Sequence, residues 1–91
     1  MIGSIRHRGL KRLYERGDES KVNQNQLPKI KRILSALDAA TRPEELDLPG
    51  WRFHRLHGDL KDHYSVWVNG NWRIVFRFDE EAQDVDLVDY H

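Results

Sequence analysis

The stretch from residue 71 to 78 alternates between apolar and polar side chains, and this alternation constrains the fold more than any other feature of the chain. Successive side chains of a pleated strand point to opposite faces. The stretch therefore predicts a strand with Trp72, Ile74, Phe76 and Phe78 on a core-facing side, and Arg73, Val75 and Arg77 on the other side. Arginines on the open side of a rigid strand suit an anionic ligand. An ordinary strand with a solvated charged face fits this stretch equally well.

The length and composition limit the class of protein. With 91 residues the chain is expected to form one domain, residues 1–91, with a single modest core. The absence of cysteine excludes a disulfide framework and thiolate chemistry, and it fits a reducing cytoplasm. No apolar run approaches the ~20 residues of a membrane span, and the first residues do not open a signal peptide. We expect a soluble cytoplasmic protein without a membrane partner.

The formal net charge of zero conceals a segregation of charge along the chain. Residues 1–34 and 51–78 carry net charges of +6 and +3, whereas residues 35–50 and 79–91 carry −3 and −6. Association with a polyanion depends on the local field and not on the total charge. A nucleic-acid partner therefore remains open, and so does the alternative that the acidic last segment simply pairs beside basic strands.

Two amphipathic helices are predicted in the first half of the chain. The first lies within residues 7–16, and the second begins at Pro28 and ends by Thr41, because a residue that precedes proline, here Arg42, disfavours the helical region. Apolar side chains recur at i, i+3 and i+4 in both. They are Leu10, Leu13 and Tyr14 in the first helix, and Ile30, Ile33, Leu34 and Leu37 in the second.

From Trp51 onward the period changes to two, which predicts strands. We expect strands at 51–56, 63–68, 71–78 and 85–90, an opening strand at 1–5, a further turn at 43–46, and a hairpin turn at Asn69-Gly70. The order is then β-α-α-β-β-β-β, an α+β domain with two helices packed on one face of a mainly antiparallel sheet. The other face of the sheet is left free to bind a ligand.

Several common kinds of chemical site find little support. His54 and His57 are three residues apart, and on a strand such residues point to opposite faces, so the signal for zinc is weak without cysteines or a His-Glu-x-x-His helix. Ser65 has no nucleophile elbow around it, and the glycines form no phosphate-binding loop. We expect no metal and no cofactor.

RNA cleavage without a metal fits the residues better. Cleavage through the 2′-hydroxyl needs a base, an acid for the leaving 5′-oxygen, and stabilisation of the charged phosphorane. Histidine suits the first two roles and arginine the third. His54 and Arg73 lie on neighbouring predicted strands, and the chain ends in Asp89-Tyr90-His91. The alternative is that this tripeptide frays and that His54 is an ordinary surface histidine.

Six motifs are distributed along essentially the whole chain: residues 5–14 (IRHRGLKRLY), 33–41 (ILSALDAAT), 54–59 (HRLHGD), 64–66 (YSV), 71–74 (NWRI) and 89–91 (DYH). In order and spacing they resemble the HigB-type toxins of the RelE/ParE superfamily of toxin–antitoxin systems. The resemblance implies a RelE-like microbial RNase fold and a metal-independent endoribonuclease that cuts messenger RNA in the ribosomal A site. It also implies a HigA-type helix-turn-helix antitoxin, whose complex with the toxin represses their operon at operator DNA.

The same resemblance assigns residues. It places the active site on His54, Asp89, Tyr90 and His91, with Arg73 and Asn71 on the same concave face. We expect His54 and His91 to share proton transfer, oriented by Asp89, while Tyr90 stacks on or hydrogen-bonds the scissile nucleotide and Arg73 stabilises the phosphate. The assignment of acid and base stays open.

Further contacts with RNA are expected from basic residues. RNA-binding candidates besides Asn71 are His57, Lys61 and Arg77, although the family commonly has lysine in place of His57, and histidine is a cation only when protonated. Ribosomal RNA is expected to attract the basic helices by charge. Their candidate residues are Arg6, Arg8, Lys11, Arg12, Lys29 and Lys31.

Two other functions remain as alternatives. A ParE-like inhibitor of DNA gyrase would use the same fold as a protein-binding toxin, and its terminal tyrosine and histidine would be incidental. A stand-alone regulatory module that binds RNA or DNA would need only the basic patches, and it leaves the histidines unexplained.

Overall fold

The computed structural model describes residues 1–89 and shows an antiparallel four-stranded sheet whose core side is covered by two helices. The predicted α+β class is confirmed. The strands lie side by side in the order β1-β2-β3-β4. The elements are α1 (Arg8–Arg16), α2 (Leu27–Ala39), β1 (His54–Arg55), β2 (His63–Asn69), β3 (Trp72–Asp79) and β4 (Glu81–Asp89), with short 3₁₀ turns at Pro43–Leu46 and Gly58–Leu60.

Helix α1 has a defined cap at each end. The Nδ1 atom of His7 accepts a hydrogen bond from the backbone N–H of Leu10 at 3.2 Å, which satisfies one of the free donors of the first turn. Gly17 ends the helix in the left-handed region, with φ 68°, and its N–H donates to the carbonyl of Leu13. Leu10 and Leu13 are buried, so the predicted apolar face is confirmed.

Helix α2 carries the largest apolar stripe, and all four residues predicted for it are buried. It begins at Leu27, with Pro28 in its first turn, and the further turn predicted at residues 43–46 follows it. That turn buries Leu46 completely. No helix in the described part of the chain combines the length and the apolar character that crossing a membrane requires.

The strands differ from the prediction at four places. β1 spans only His54–Arg55, because Arg52 adopts a left-handed φ of 49° that interrupts an extended strand. Residues 1–5 form two isolated parallel bridges to β4 and no continuous strand. β4 begins at Glu81 and not at residue 85, since Glu80, with φ 65°, makes the turn from β3 very tight. The two residues between the paired ends of β2 and β3 are Gly70 and Asn71, one position later than predicted.

The two faces of β3 are the centre of the fold. Ile74 and Phe76 are fully buried, as predicted, whereas Trp72 lies at the end of the strand and is 37% exposed. Val75 on the opposite face is only 4% exposed, so that face is not simply a solvated charged surface. Leu60 of the Gly58–Leu60 turn and Val75 line the same small depression on this face.

A pair of leucine substitutions tests this account of the core. Leu37 is fully buried in α2, and Leu48 is 42% exposed. We expect Leu37→Ala to lower the free energy of unfolding by about 2–5 kcal/mol, because it leaves a cavity in the core. The matched Leu48→Ala variant should change it by no more than about 0.5 kcal/mol. Urea unfolding of both variants checks this, and equal losses would contradict the assignment of the core.

Candidate active site

The register of the sheet lines up side chains in rows on the face that the helices do not cover, here called the open face. His54 of β1 and Arg73 of β3 both project from it, in adjacent rows. From the spacing of strands and residues, their Cα atoms lie about 12 Å apart, within the joint reach of an imidazole and a guanidinium toward one phosphate. The rows are His54, Ser65, Val75 and Asp86, and then Trp67, Arg73 and Val88.

The guanidinium of Arg73 has unsatisfied hydrogen-bond donors. Its Nε and Nη1 atoms are inaccessible to solvent, and within residues 1–89 neither has a hydrogen-bond partner. A buried donor left unpaired costs about 1–3 kcal/mol, and more when it is charged, so such donors indicate an acceptor that this part of the chain does not supply. Arginine presents its donors in a planar fork that matches the oxygens of a phosphate or a carboxylate. Arg73 is therefore placed to bind an anion.

The other members of the predicted site lie at the same end of the sheet or beside it. His54 is exposed on the edge strand, opposite Ser65, which is only 1% exposed. Asn71 lies in the β2–β3 turn next to β3, and the indole Nε1 of Trp67 orders this turn by donating to the carbonyl of Gly70 at 2.9 Å. This arrangement leaves the His54 imidazole accessible to a substrate.

The chain terminus is only partly within the described residues. Asp89 is exposed and lies opposite Trp72 in the register, whereas Val88 lies opposite Arg73. The alternation of the strand thus directs the side chain of Asp89 to the other face from Arg73. Tyr90 and His91 lie outside the described residues. Their predicted roles, and the orienting role of Asp89, stay predictions.

His57 and Lys61 come together at a different place. Both line a depression of about 300 Å³ whose lining includes neither His54 nor Arg73. His57 precedes the 3₁₀ turn Gly58–Leu60, which moves this segment away from the alternation of the strand. The structure therefore does not bring these two candidates into the same pocket as the His54 and Arg73 pair. Among residues 1–89, no three histidine, aspartate or glutamate side chains are grouped to hold a metal ion.

Arg77 lies on the open face, but its charge is compensated by Asp84. Its Nε donates to Asp84 Oδ2 at 2.8 Å, and this hydrogen bond raises the pKa of Arg77 and lowers that of Asp84. Asp84 occupies a bulge opposite β3, with a left-handed φ of 52°. Arg6 and Ser4 also approach its carboxylate, at 3.8 and 3.4 Å. The ion pair between Arg6 and Asp84 joins the N-terminal segment to the sheet.

The basic residues of the first helix are mostly exposed. Arg8 and Lys11 lie on its outer side, and within residues 1–89 neither forms an ion pair. Arg12 lies 3.7 Å from the carboxylate of Asp18, and Lys31 of α2 is paired with Glu19. Three exposed cations of α1, Arg8, Lys11 and Arg16, therefore carry charge that no ion pair compensates within residues 1–89.

Lys29 differs from the other candidates for ribosome contact. It is half-buried, and its Nζ lies 5.4 Å from the ring centroid of Trp51 and 5.5 Å from that of Trp67. Burial, and then the nearby charge of Arg32, lower the pKa of Lys29. The ring faces attract the ammonium electrostatically. Lys29 thus lies beside the rings of Trp51 and Trp67, where its charge is less accessible than that of Lys11.

Sequence reasoning assigned no role to Arg52 and Trp67, which the structure brings into direct contact. The Cζ atom of Arg52 lies 4.3 Å from the ring centroid of Trp67. Trp67 is also the register partner of Arg73. The only sequence signal was a cation and an aromatic on two predicted neighbouring strands, and it becomes informative once the pairing of these strands is known.

Two helices on one side of a four-stranded antiparallel sheet form an α+β fold consistent with the RelE-like type, and comparison with known proteins identifies the family. Residues 3–91 match the family of RelE-like toxins of the type II toxin–antitoxin system HigB. The chain belongs to this family, and the predicted resemblance is confirmed. It is also 39% identical, over 92 residues and the full length of both proteins, to Endoribonuclease HigB of Proteus vulgaris.

The Arg77–Asp84 pair gives a prediction about pH. Because the pKa of Asp84 is lowered in the folded state from its ordinary value of 3.8, the pair stabilises the fold above that pH, and this contribution is lost as the pH falls through the lowered value. Asp84→Asn removes the contribution, and asparagine tolerates a left-handed φ. The difference in unfolding free energy between wild type and Asp84→Asn should be constant near neutrality and shrink below pH 3.8.

Urea unfolding at a series of pH values measures this difference. The exposed Asp47→Asn serves as the control, and it should show no such narrowing. A gap for Asp84→Asn that stays constant down to pH 2 would show that the ion pair does not stabilise the fold.

Proposed function

We propose that this chain is the toxin of a type II toxin–antitoxin system and acts as a ribosome-dependent endoribonuclease that cuts messenger RNA in the ribosomal A site. The observation that carries the proposal is that a chain of the HigB family presents an exposed His54 and an arginine with unsatisfied donors, Arg73, on one open sheet face. The name of the Proteus vulgaris relative supports the same activity.

The proposed reaction proceeds through the 2′-hydroxyl of the RNA. One of His54 and His91 takes the proton of this hydroxyl, the oxygen attacks the adjacent phosphorus, and the bond from phosphorus to the 5′-oxygen breaks. The other histidine gives a proton to the departing 5′-oxygen, so the products are a 2′,3′-cyclic phosphate and a 5′-hydroxyl. Positioned proton transfer of this kind contributes roughly 10²–10⁴-fold in rate. No step of the proposal uses a metal.

Arg73 supplies the electrostatic part of the mechanism. The phosphorane gains negative charge as the new bond forms, and a guanidinium already fixed at the end of a rigid strand stabilises that charge without reorganising. Since β4 directs the side chain of Asp89 to the other face from Arg73 and His54, Asp89 in this proposal orients His91, and Tyr90 holds the scissile nucleotide. Asn71 contacts the RNA at the same end of the sheet.

The remaining basic residues extend the RNA-binding surface. His57 and Lys61 contact the RNA chain beyond the cleavage site. The compensated Arg77 contributes less than a free guanidinium would, because an incoming phosphate has to compete with Asp84. Arg8 and Lys11 contact ribosomal RNA.

The proposed partners follow from the family. The chain pairs with a HigA-type helix-turn-helix antitoxin that neutralises it in the cytoplasm, and the complex of the two binds operator DNA. Messenger RNA and the ribosome are the targets of the free toxin.

Arg73→Ala tests the proposed phosphate contact. In a purified translation reaction, we expect it to lower the rate of message cleavage by about 10²–10³-fold, the loss typical for removal of one stabilising donor of a transition state. The circular dichroism spectrum should be unchanged. Arg42→Ala removes an exposed arginine outside the proposed site and should cleave at the wild-type rate. Wild-type cleavage by Arg73→Ala would contradict the assignment.

Removal of Tyr90 and His91 tests whether the terminus is catalytic. The cuts on a messenger RNA are mapped with and without ribosomes, for the full chain and for the shortened one. We expect cuts only on translated message, and none with the shortened chain. An intact message together with growth arrest in cells that express the full chain would favour the gyrase inhibitor instead, and such a protein would tolerate the deletion.

Two of the three uncompensated cations of α1, Arg8 and Lys11, test the ribosome contact. The double variant Arg8→Ala/Lys11→Ala should bind ribosomes more weakly, and the slope of log affinity against log salt should fall by about 1 for each phosphate that the variant no longer neutralises. Lys31→Ala, whose charge is paired with Glu19, should change the slope less. Sedimentation with ribosomes at several salt concentrations measures both. An equal change in the two variants would show that α1 is not the contact surface.

A further inference from the structure

The contact between Arg52 and Trp67 is not used by the mechanism above, and its surroundings indicate what it does. We propose that Arg52, held on the ring of Trp67, is a stacking subsite for an RNA base next to the phosphate bound by Arg73. This inference rests on the proposed function, because it takes RNA to be the ligand of the open face.

The aromatic support is fixed in place. The indole Nε1 of Trp67 donates to the carbonyl of Gly70 at 2.9 Å, and the backbone N–H of Trp67 donates to the carbonyl of Trp51 at 2.8 Å. Lys29 lies 5.5 Å from the centre of the same ring. The indole is thus held by neighbours from two directions, and a group resting on it has a defined position.

Arg52 rests on this support without a countercharge. Its Cζ lies 4.3 Å from the centroid of Trp67, the side chain is exposed, and within residues 1–89 no carboxylate pairs with it. Its backbone is in the left-handed region, with φ 49°, which residues other than glycine rarely adopt. An exposed guanidinium whose carbon lies this close to an indole ring can present its plane to a ligand.

The position relative to Arg73 identifies the ligand. Trp67 and Arg73 are direct register partners on adjacent strands, so Arg52, Trp67 and Arg73 follow one another across the sheet. The buried donors of Arg73 lack an acceptor within residues 1–89. A nucleotide carries both groups that such a pair needs, an anionic phosphate and a flat base joined by a sugar. A carboxylate alone would satisfy Arg73 and leave the platform on Trp67 unused.

The chemistry of the platform favours a single-stranded segment of RNA. Unpaired bases stack on aromatic rings and on arginine planes, and the stacking tolerates any base because each has a π-face. Bases inside a duplex are already stacked on their neighbours and do not offer this face. The subsite therefore accepts a splayed nucleotide adjacent to the cleaved bond.

The test measures binding separately from cleavage. Short single-stranded RNA oligonucleotides in which every 2′-hydroxyl is replaced by fluorine cannot be cleaved through that group, and fluorescence anisotropy gives their affinity for the full chain. We expect Arg52→Ala to bind about tenfold more weakly, within the range typical of one stacked base. Arg52→Lys keeps the charge and loses the plane, so it should bind nearly as weakly. Arg42→Ala should bind as wild type.

A series of oligonucleotides that lack one base at a time locates the stacked nucleotide. At one position, removal of the base should weaken wild-type binding and leave Arg52→Ala unaffected, because the two changes remove the same interaction. Wild-type affinity of Arg52→Lys would overturn the stacking subsite and show that Arg52 contributes only its charge. The subsite would also be overturned if the effect of removing a base were the same in wild type and in Arg52→Ala at every position. Absence of binding by the wild-type chain would also overturn it.

The outcomes separate this inference from the proposed function. If the wild-type chain cuts translated message but Arg52→Ala binds the oligonucleotides as wild type does, the subsite is wrong and the nuclease stands. If the coupling between Arg52 and one base is found but no cut appears on translated message, the subsite stands and the nuclease is wrong.

Discussion

The burial of Ile74 and Phe76 on one face of β3 determines where every functional group of the open face lies. Both side chains are fully buried in the core shared with α1 and α2. A shift of one residue in the register would move Arg73 into that core, and burying an unpaired charge there is far more costly than the hydrophobic contact is favourable. The core and the position of Arg73 are therefore set by the same alternation, and the site needs no separate structural support.

Charge compensation divides the open face into two ends. At one end Asp84 neutralises Arg77 and approaches Arg6, and the bulge that positions Asp84 also anchors the N-terminal segment. At the other end Arg73 and Arg52 have no carboxylate partner within residues 1–89. An anion gains more from a cation that is not already paired. In the proposed function, binding of a phosphate chain is consequently concentrated at the end where the β2–β3 turn and the end of β4 meet.

The parts that sequence predicted well are those set by local patterns. The stripe of α2 and the alternation of β3 are each encoded within a few turns or residues. The stripe is confirmed, and the alternation is confirmed at Ile74 and Phe76 but not at the exposed Trp72 or the buried Val75. The short β1 and the contact between Arg52 and Trp67 depend on the left-handed φ of Arg52. The residue type arginine does not predict such an angle. Lys29 has the same appearance in the sequence as Lys31, and only the packing of α2 beside Trp51 distinguishes them. Such contacts between distant parts of the chain explain why the sequence identified candidate residues more readily than it predicted which of them lie together.

The placement of charge on opposite sides of the domain bears on why such a toxin would act on translated message. The exposed cations Arg8 and Lys11 belong to a helix on the covered side of the sheet, whereas His54 and Arg73 project from the open side. A domain with two separate cationic surfaces can contact two RNA strands at once, one by charge alone and one by the shaped site. When the surface of Arg8 and Lys11 holds one RNA strand, the effective concentration of the other strand at the open face is raised. In the proposed function this arrangement couples cleavage to the ribosome, because free message offers only one of the two strands.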